Sequence, residues 1–152
     1  NMLTGLGDAP RLSNTSTTVS FQQIERIGPA VEDIGRIEDL LRRYLTARIE
    51  GASIFGAGYY GWSVLDGIAA LCLSVAVAGW LARYLAAADR SDRIRFQDAA
   101  TALGMVDRAA TRLPALGTWA ERNRISYLLM DDGLVRLLSA YPLAAPALAS
   151  TT

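Results

Sequence analysis

The longest apolar run in the chain covers residues 61–90, GWSVLDGIAALCLSVAVAGWLARYLAAADR, and it is the only one without a polar face of any width. Ser63 followed three residues later by Asp66 resembles a capping box with Asp in place of Glu. The pattern therefore predicts a helix over 63–88, ended by Asp89-Arg90-Ser91-Asp92. A helix that is apolar all round belongs in the middle of a bundle or in a membrane. Its uncharged part, 67–82, spans about 24 Å at about 1.5 Å per residue. That falls short of the ~20 apolar residues needed to cross a hydrocarbon core of about 30 Å. Asp66 and Arg83 bracket it, and amphipathic segments lie on both sides. The expected role is the central buried helix of a bundle. Its small residues, among them Ala69, Ala76 and Gly79, would let neighbouring helices approach closely.

The flanking segments carry helical periods. Ser20 opens FQQIERI, one or two turns with Phe21, Ile24 and Ile27 on one side. Gly28-Pro29 punctuates the chain, and proline suits the first turn of a helix. The next helix is predicted over 29–49, with Val31, Ile34, Ile37, Leu41, Tyr44, Leu45 and Ile49 as its apolar stripe. Its outer face pairs Glu32 with Arg36, Glu38 with Arg42 and Asp39 with Arg43, each about 0.2–0.5 kcal/mol at this spacing. Residues 96–113 repeat the pattern through Ala99, Leu103, Val106 and Ala110 and end before Pro114. Asp98 in its first turn and Arg108 and Arg112 in its last complement the helix dipole. Thr118 with Glu121 gives another capping box, before a helix whose buried side is predicted to hold Trp119, Ile125, Leu128 and Leu129. Asp131-Asp132-Gly133 bends or interrupts that helix, and Leu134, Leu137, Leu138 and Tyr141 continue it to Pro142. No strand pattern occurs. The expected fold is all-α, a single-domain bundle of about five helices over 19–141 around the helix at 63–88. A flexible arm over 1–18 and a flexible tail over 142–152 complete the expected organisation.

Composition narrows the chemistry. All 15 basic residues are arginines, balanced by 15 acids, and there is no histidine. Zero net charge without a basic patch argues against a nucleic-acid partner. Without His or Lys there is no Ser-His-Asp or Cys-His nucleophile, no Schiff base and no Walker lysine. Histidine-ligated zinc and cysteine-rich metal sites are excluded in the same way, so neither a metal nor a cofactor is expected. Cys72 lies inside the apolar run and reads as a small buried hydrophobe. One cysteine closes no internal disulfide, and residues 1–18 lack the charge-then-apolar order of a signal peptide, so the expected compartment is the cytoplasm.

One stretch invites a ligand. Residues 51–61, GASIFGAGYYG, hold four glycines beside Ile54, Phe55, Tyr59 and Tyr60. The loop lacks phosphate-binding spacings. Its aromatics either fold back over the core or frame a pocket at the start of the central helix. In the second case Tyr59, Tyr60, Trp62, Asp66, Trp80 and Tyr84 would line it. Asp66 otherwise reads as a cap, and the aromatics as core. No catalytic residue is assigned.

Four segments together, RRYLTARI from Arg42, the run GWSVLDGIAALCLSVAVAGWLARYLA from Gly61, FQDAATALGMVDRAATRLPALG from Phe96 and RISYLLMDDGLVRLLSAY from Arg124, carry a resemblance. Their order and spacing resemble the C-terminal helical region of flagellin lysine-N-methylase-like proteins. These are bacterial proteins whose methylation chemistry is tied to an N-terminal cysteine cluster. That cluster is absent here and Cys72 does not replace it, so no functional residue carries over. The resemblance implies an accessory helical part. The residues point the same way: a non-catalytic helical domain that binds a protein partner or forms a homo-oligomer. A small-molecule site at 51–62 and a membrane-associated bundle are the alternatives.

Overall fold

The computed structural model describes residues 7–12, 17–112 and 118–145. Among them the fold is all-α, with six helices: α1 (Phe21–Arg26), α2 (Ile34–Glu50), α3 (Val64–Ala88), α4 (Phe96–Arg112), α5 (Trp119–Leu129) and α6 (Gly133–Ala140). A single 3-10 turn, Met130–Asp132, separates α5 from α6 at the acidic pair. Helix α3 is the axis. It packs against α1, α4, α5 and α6, whereas α2 rests chiefly on α4.

Both caps read from the sequence, at Ser63 and Thr118, form, and a third appears at α1. There Ser20 and Gln23 exchange hydrogen bonds in a full capping box, the Ser20 hydroxyl accepting from the Gln23 N–H and the Gln23 side chain accepting from the Ser20 N–H. The Ser63 hydroxyl accepts from the Asp66 N–H at 3.2 Å, and that of Thr118 from the Glu121 N–H at 3.4 Å. Helix α2 departs from expectation. It begins at Ile34, not Pro29, because Gly28 and Ala30 are drawn into extended pairings: Gly28 with Arg93 and Ala30 with Ala144. Asp33 then turns the chain with a φ of 55°, and its carboxylate accepts from Arg36 at 3.2 Å, in place of the expected Glu32 partner. Asp39 takes both Arg42 and Arg43, at 3.5 and 2.6 Å.

The core has three parts. The largest joins Ile37 of α2 with Ala78, Ala82 and Ala86 of α3 and Ala99, Ala102 and Leu103 of α4. A second gathers Tyr59, Trp62, Ala69, Ala70 and Ile125. A third holds Ala9, Val19, Ile24 and Tyr84. The segments expected as arm and tail extend beyond the described residues, but their described parts pack: Ala9 is buried and donates to the Val19 carbonyl, and Leu143 is buried in the largest cluster.

Helix α3 is not covered all round. Leu65 is 75% exposed, and Val64, Ile68 and Val77 are also on the surface. By length and composition α3 could cross a membrane. The expected buried side of α5 is also corrected: Ile125 points inward, but Trp119 and Leu129 are exposed. The α2 stripe is shifted as well. Ile49 is exposed and Arg48 is buried, because the face toward α4 and the 51–61 loop runs through Ile37, Tyr44 and Arg48.

Two glycines on α3 set how closely the irregular segments can approach. A methyl at Gly67 would overlap the Ile54 carbonyl, and one at Gly79 would overlap the Tyr141 carbonyl. Alanine is favoured over glycine in a helix by about 1 kcal/mol. Here backbone atoms must retreat, an overpacking cost of about 1–3 kcal/mol that outweighs the propensity gain. Gly67→Ala and Gly79→Ala are therefore expected to lower the thermal midpoint, and an unchanged or raised midpoint would show that the close contacts are not tight.

Candidate functional site: an apolar groove beside the central helix

The 51–61 loop is built by four residues with positive φ: Ala52, Gly56, Tyr60 and Gly61. Gly56 closes it, donating to the Trp62 carbonyl at 2.9 Å and accepting from the Gly61 N–H at 2.9 Å. Ser53 anchors its start, with both its N–H and its hydroxyl donating to the Arg48 carbonyl. This geometry sends Ile54, Tyr59 and Trp62 inward and leaves Tyr60 at the surface. The Tyr59 ring meets Trp62 edge-on at 5.4 Å and Tyr60 at 5.1 Å.

The six residues expected around one pocket fall into separate places. Tyr59, Tyr60 and Trp62 cluster at the N-terminal end of α3. Asp66 sits in the first turn of α3 and faces α5, where Arg122 donates to it through Nε at 3.0 Å and Nη2 at 2.8 Å. The Ser63 hydroxyl donates to the same carboxylate at 2.7 Å. That hydrogen bond, opposed by partial desolvation and reinforced by Arg122, holds the Asp66 carboxyl below its ordinary range. Trp80 and Tyr84 lie at the far end of α3, packed with Phe21 and Ile24; the Tyr84 hydroxyl is met by the Leu12 N–H at 3.4 Å.

Between these groups runs an apolar groove of about 370 Å³. Its floor is α3, through Ala70, Leu73, Ser74, Val77 and Leu81. Helix α4 contributes one wall with Met105, Val106, Ala109 and Ala110, Ile125 of α5 adds to the lining, and Tyr59 and Leu12 complete it. A second cleft of about 190 Å³ shares Leu73 and Val77 and continues past Trp80 to Tyr141. None of the residues lining either space is charged. The Ser74 hydroxyl donates to the Ala70 carbonyl at 2.8 Å, so its proton is committed to its own helix.

Behind Tyr59 lies the most unusual electrostatic feature. The Arg48 side chain is only 10% exposed, and its guanidinium carbon is 5.9 Å from the Tyr59 ring centre. Asp107 approaches it at 3.8 Å, an ion-pair distance too long for a hydrogen bond. Arg48 Nε and the Tyr44 hydroxyl are buried with no hydrogen-bond partner among the described residues. Burial pushes the Tyr44 and Tyr59 phenols up, against the pull of Arg48, so both are neutral donors at pH 7. Arg83 is the second buried arginine. It lies over the Tyr141 ring at 5.1 Å, and the Tyr141 hydroxyl donates to Glu25 at 3.1 Å.

Sequence reasoning missed the groove and the contacts of Arg48 with Tyr59 and Arg83 with Tyr141. The signal for the groove was the row Ala70, Ser74, Val77 and Leu81 on α3, opposite Met105 and Ala109 on α4. Arg48 was hidden by counting the stripe one residue too far. Chemically the site offers apolar surface and neutral donors. Among the described residues no three metal-ligating side chains come together. No known protein family, curated protein or solved structure matches the chain.

The Asp66 contacts give a pH signature. A carboxyl depressed in the folded state stabilises the fold above its unfolded value, about pH 4, and that contribution is lost as pH falls through the folded value. Asp66→Asn should lower stability at pH 7 by about 1 kcal/mol, as for a lost cap. It should also flatten the loss of stability below about pH 4. Urea titrations at several pH values measure both; parallel pH profiles for the two proteins would refute the assignment.

Proposed function

We propose that this chain is a non-catalytic helical interaction domain that binds a protein partner or a second copy of itself through the outer surface of α5 and α6. The observation that carries this reading is the exposure of large apolar side chains there. Trp119 is 77% exposed, Tyr127 71%, and Met130 and Val135 60% each. Leu65, in the α3 turn that Asp66 ties to Arg122, extends the apolar surface at the same end. Single exposed hydrophobes are ordinary, but a concentration on one pair of helices marks an interaction site. The residue types also fit, since Trp, Tyr and Met are enriched at interface centres. Arg122, Arg124 and Glu121 supply a polar rim of both signs.

Three further points support the reading. Histidine and lysine, two of the side chains most used in nucleophilic and acid–base catalysis, are missing from the sequence. The likeness to the helical region of flagellin lysine-N-methylase-like proteins implies an accessory part. Balanced charge leaves self-association unopposed. A cytoplasmic location belongs to the same proposal.

Light scattering combined with size-exclusion chromatography tests it. The chain is expected to run above its monomer mass, or to retain a partner co-purified from the source cell. Trp119→Ala and Tyr127→Ala should each weaken that association by about 2 kcal/mol or more, roughly 30-fold. Both side chains are exposed, so helical content should not change. A monomer whose partner binding ignores both substitutions would defeat the proposal, and transfer to lipid vesicles that depends on them would assign the face to a membrane instead.

A further inference from the structure

We infer that the partner at the α5–α6 surface is a second copy of this chain, docked with its α5 antiparallel to the first and with Asn123 on the two-fold axis. The inference rests on the interaction role argued above for that surface, and adds the occupant and the register. Two observations carry it. The first is the row Trp119, Asn123 and Tyr127, at i, i+4 and i+8 along one side of α5. Trp119 is 77% exposed and Tyr127 71%. At about 100° per residue Ile125 falls on the opposite side, and it is the residue through which α5 is buried against the bundle. The row therefore faces away from the rest of the chain. The bonds from Arg122 to Asp66 hold the helix in that orientation.

The second observation is that the row matches itself when reversed. Trp119 and Tyr127 each lie four residues from Asn123, so turning the helix end for end about Asn123 exchanges one ring with the other. An antiparallel copy then sets Trp119 against Tyr127 of the second copy, and the reverse, with α5 overlapped over 119–127 of its 119–129 span. Asn123 meets itself. Its amide both donates and accepts, so two copies bond each other directly. An i, i+4 row is inclined by about 26° to the helix axis, and two such rows interlock at a crossing of about 50°. Helices crossing in this way are closest at the middle and diverge toward the ends. A short side chain at the crossing and a long ring about 6 Å to either side fit that shape. The four rings of the pair bury about 150 Å² each, roughly half of the ~1,200 Å² of the smallest stable interfaces. Met130, three residues beyond Tyr127 and 60% exposed, extends the apolar contact. Glu121 neutralises Arg124 within each helix, and the chain carries no formal net charge, so no electrostatic term opposes approach of a copy.

Sedimentation equilibrium on the full chain tests the two-fold contact. Asn123→Asp and Asn123→Lys each set like charges against one another at the axis, and each should weaken dimerisation by at least about tenfold. Mixed in equal amounts they set Asp against Lys, and association should return to within about threefold of the parent. That recovery also shows that both variants fold. In a Cys72→Ser background, Asn123→Cys should give a covalent dimer on mild oxidation, whereas Glu121→Cys, on the side away from the row, should not. Association that needs Trp119 and Tyr127 but is not restored in the mixture would overturn the second copy and its register while leaving the surface an interaction site. So would a parent that stays monomeric to about 1 mM, including one that binds another protein or lipid vesicles through Trp119. Association that ignores Trp119→Ala and Tyr127→Ala would defeat the role of the surface itself, and this inference with it.

Discussion

The fold depends on two places where irregular backbone lies directly on the central helix. At Gly67 the carbonyl of Ile54 occupies the space a side chain would need, and at Gly79 the carbonyl of Tyr141 does the same. A helix normally keeps its neighbours about 8–10 Å away by its side chains. Removing the side chain at two points, 12 residues apart, lets the glycine-rich loop dock near one end and the exit of α6 near the middle. Each contact then places a ring. The loop presents Tyr59 beside Arg48, and the α6 exit presents Tyr141 beside Arg83.

The same economy of side-chain volume explains why α3 carries a groove. Its seam with α4 is built largely from alanines, Ala78, Ala82 and Ala86 against Ala99 and Ala102. Alanine seams allow close approach at modest cost in chain entropy, since alanine has no rotamer freedom to lose. Further toward the N-terminus of α3 the facing positions become Ser74, Ala70, Ala109 and Ala110, and α5 touches mainly through Ile125. Short side chains on both walls leave the space between them unfilled. Packing that favours proximity in one half of the seam thus produces a cleft in the other. The uncovered Leu65, Ile68 and Val77 follow from α2 resting on α4 instead of closing over α3.

Local signals were readable wherever they were local. Ser63 with Asp66 and Thr118 with Glu121 each act within one turn, so spacing alone located two helix starts. The start of α2 was not local. Pro29 is compatible with a helix, but Ala30 is held by Ala144 and Gly28 by Arg93, partners more than 60 residues away. The α5 face failed for a different reason. Trp119 and Leu129 look like core by residue type, and only the docking of α5 through Ile125 shows that they point outward. In the loop, the choice between covering the core and framing a pocket was a false alternative for Tyr59, which is buried against Trp62 and still forms a wall of the groove. Asp66 acts as the cap its spacing implied, but its bond to Arg122, 56 residues on, depends on tertiary structure.

The buried arginines are the remaining step. Taking a guanidinium out of water costs several kcal/mol unless its donors are met. Arginine lowers that cost better than lysine can, because its plane rests on aromatic faces and its stem packs among apolar groups. Arg83 follows this pattern through the Tyr141 ring, with Glu25 linked through the Tyr141 hydroxyl, but its Nε has no hydrogen-bond partner among the described residues. Arg48 follows it only in part. Its ring contact is longer, its carboxylate stands at 3.8 Å, and a neighbouring hydroxyl shares its lack of a partner. Asp98 shows the bonded alternative, taking three hydrogen bonds from Arg95, whereas Arg48 Nε, the Tyr44 hydroxyl and Arg83 Nε have no partner among the described residues. Buried donors in that state favour an acceptor from outside the chain, such as water. Such donors stand at both buried arginines, one against Tyr59 and one against Tyr141, so they give the apolar groove no direction of its own.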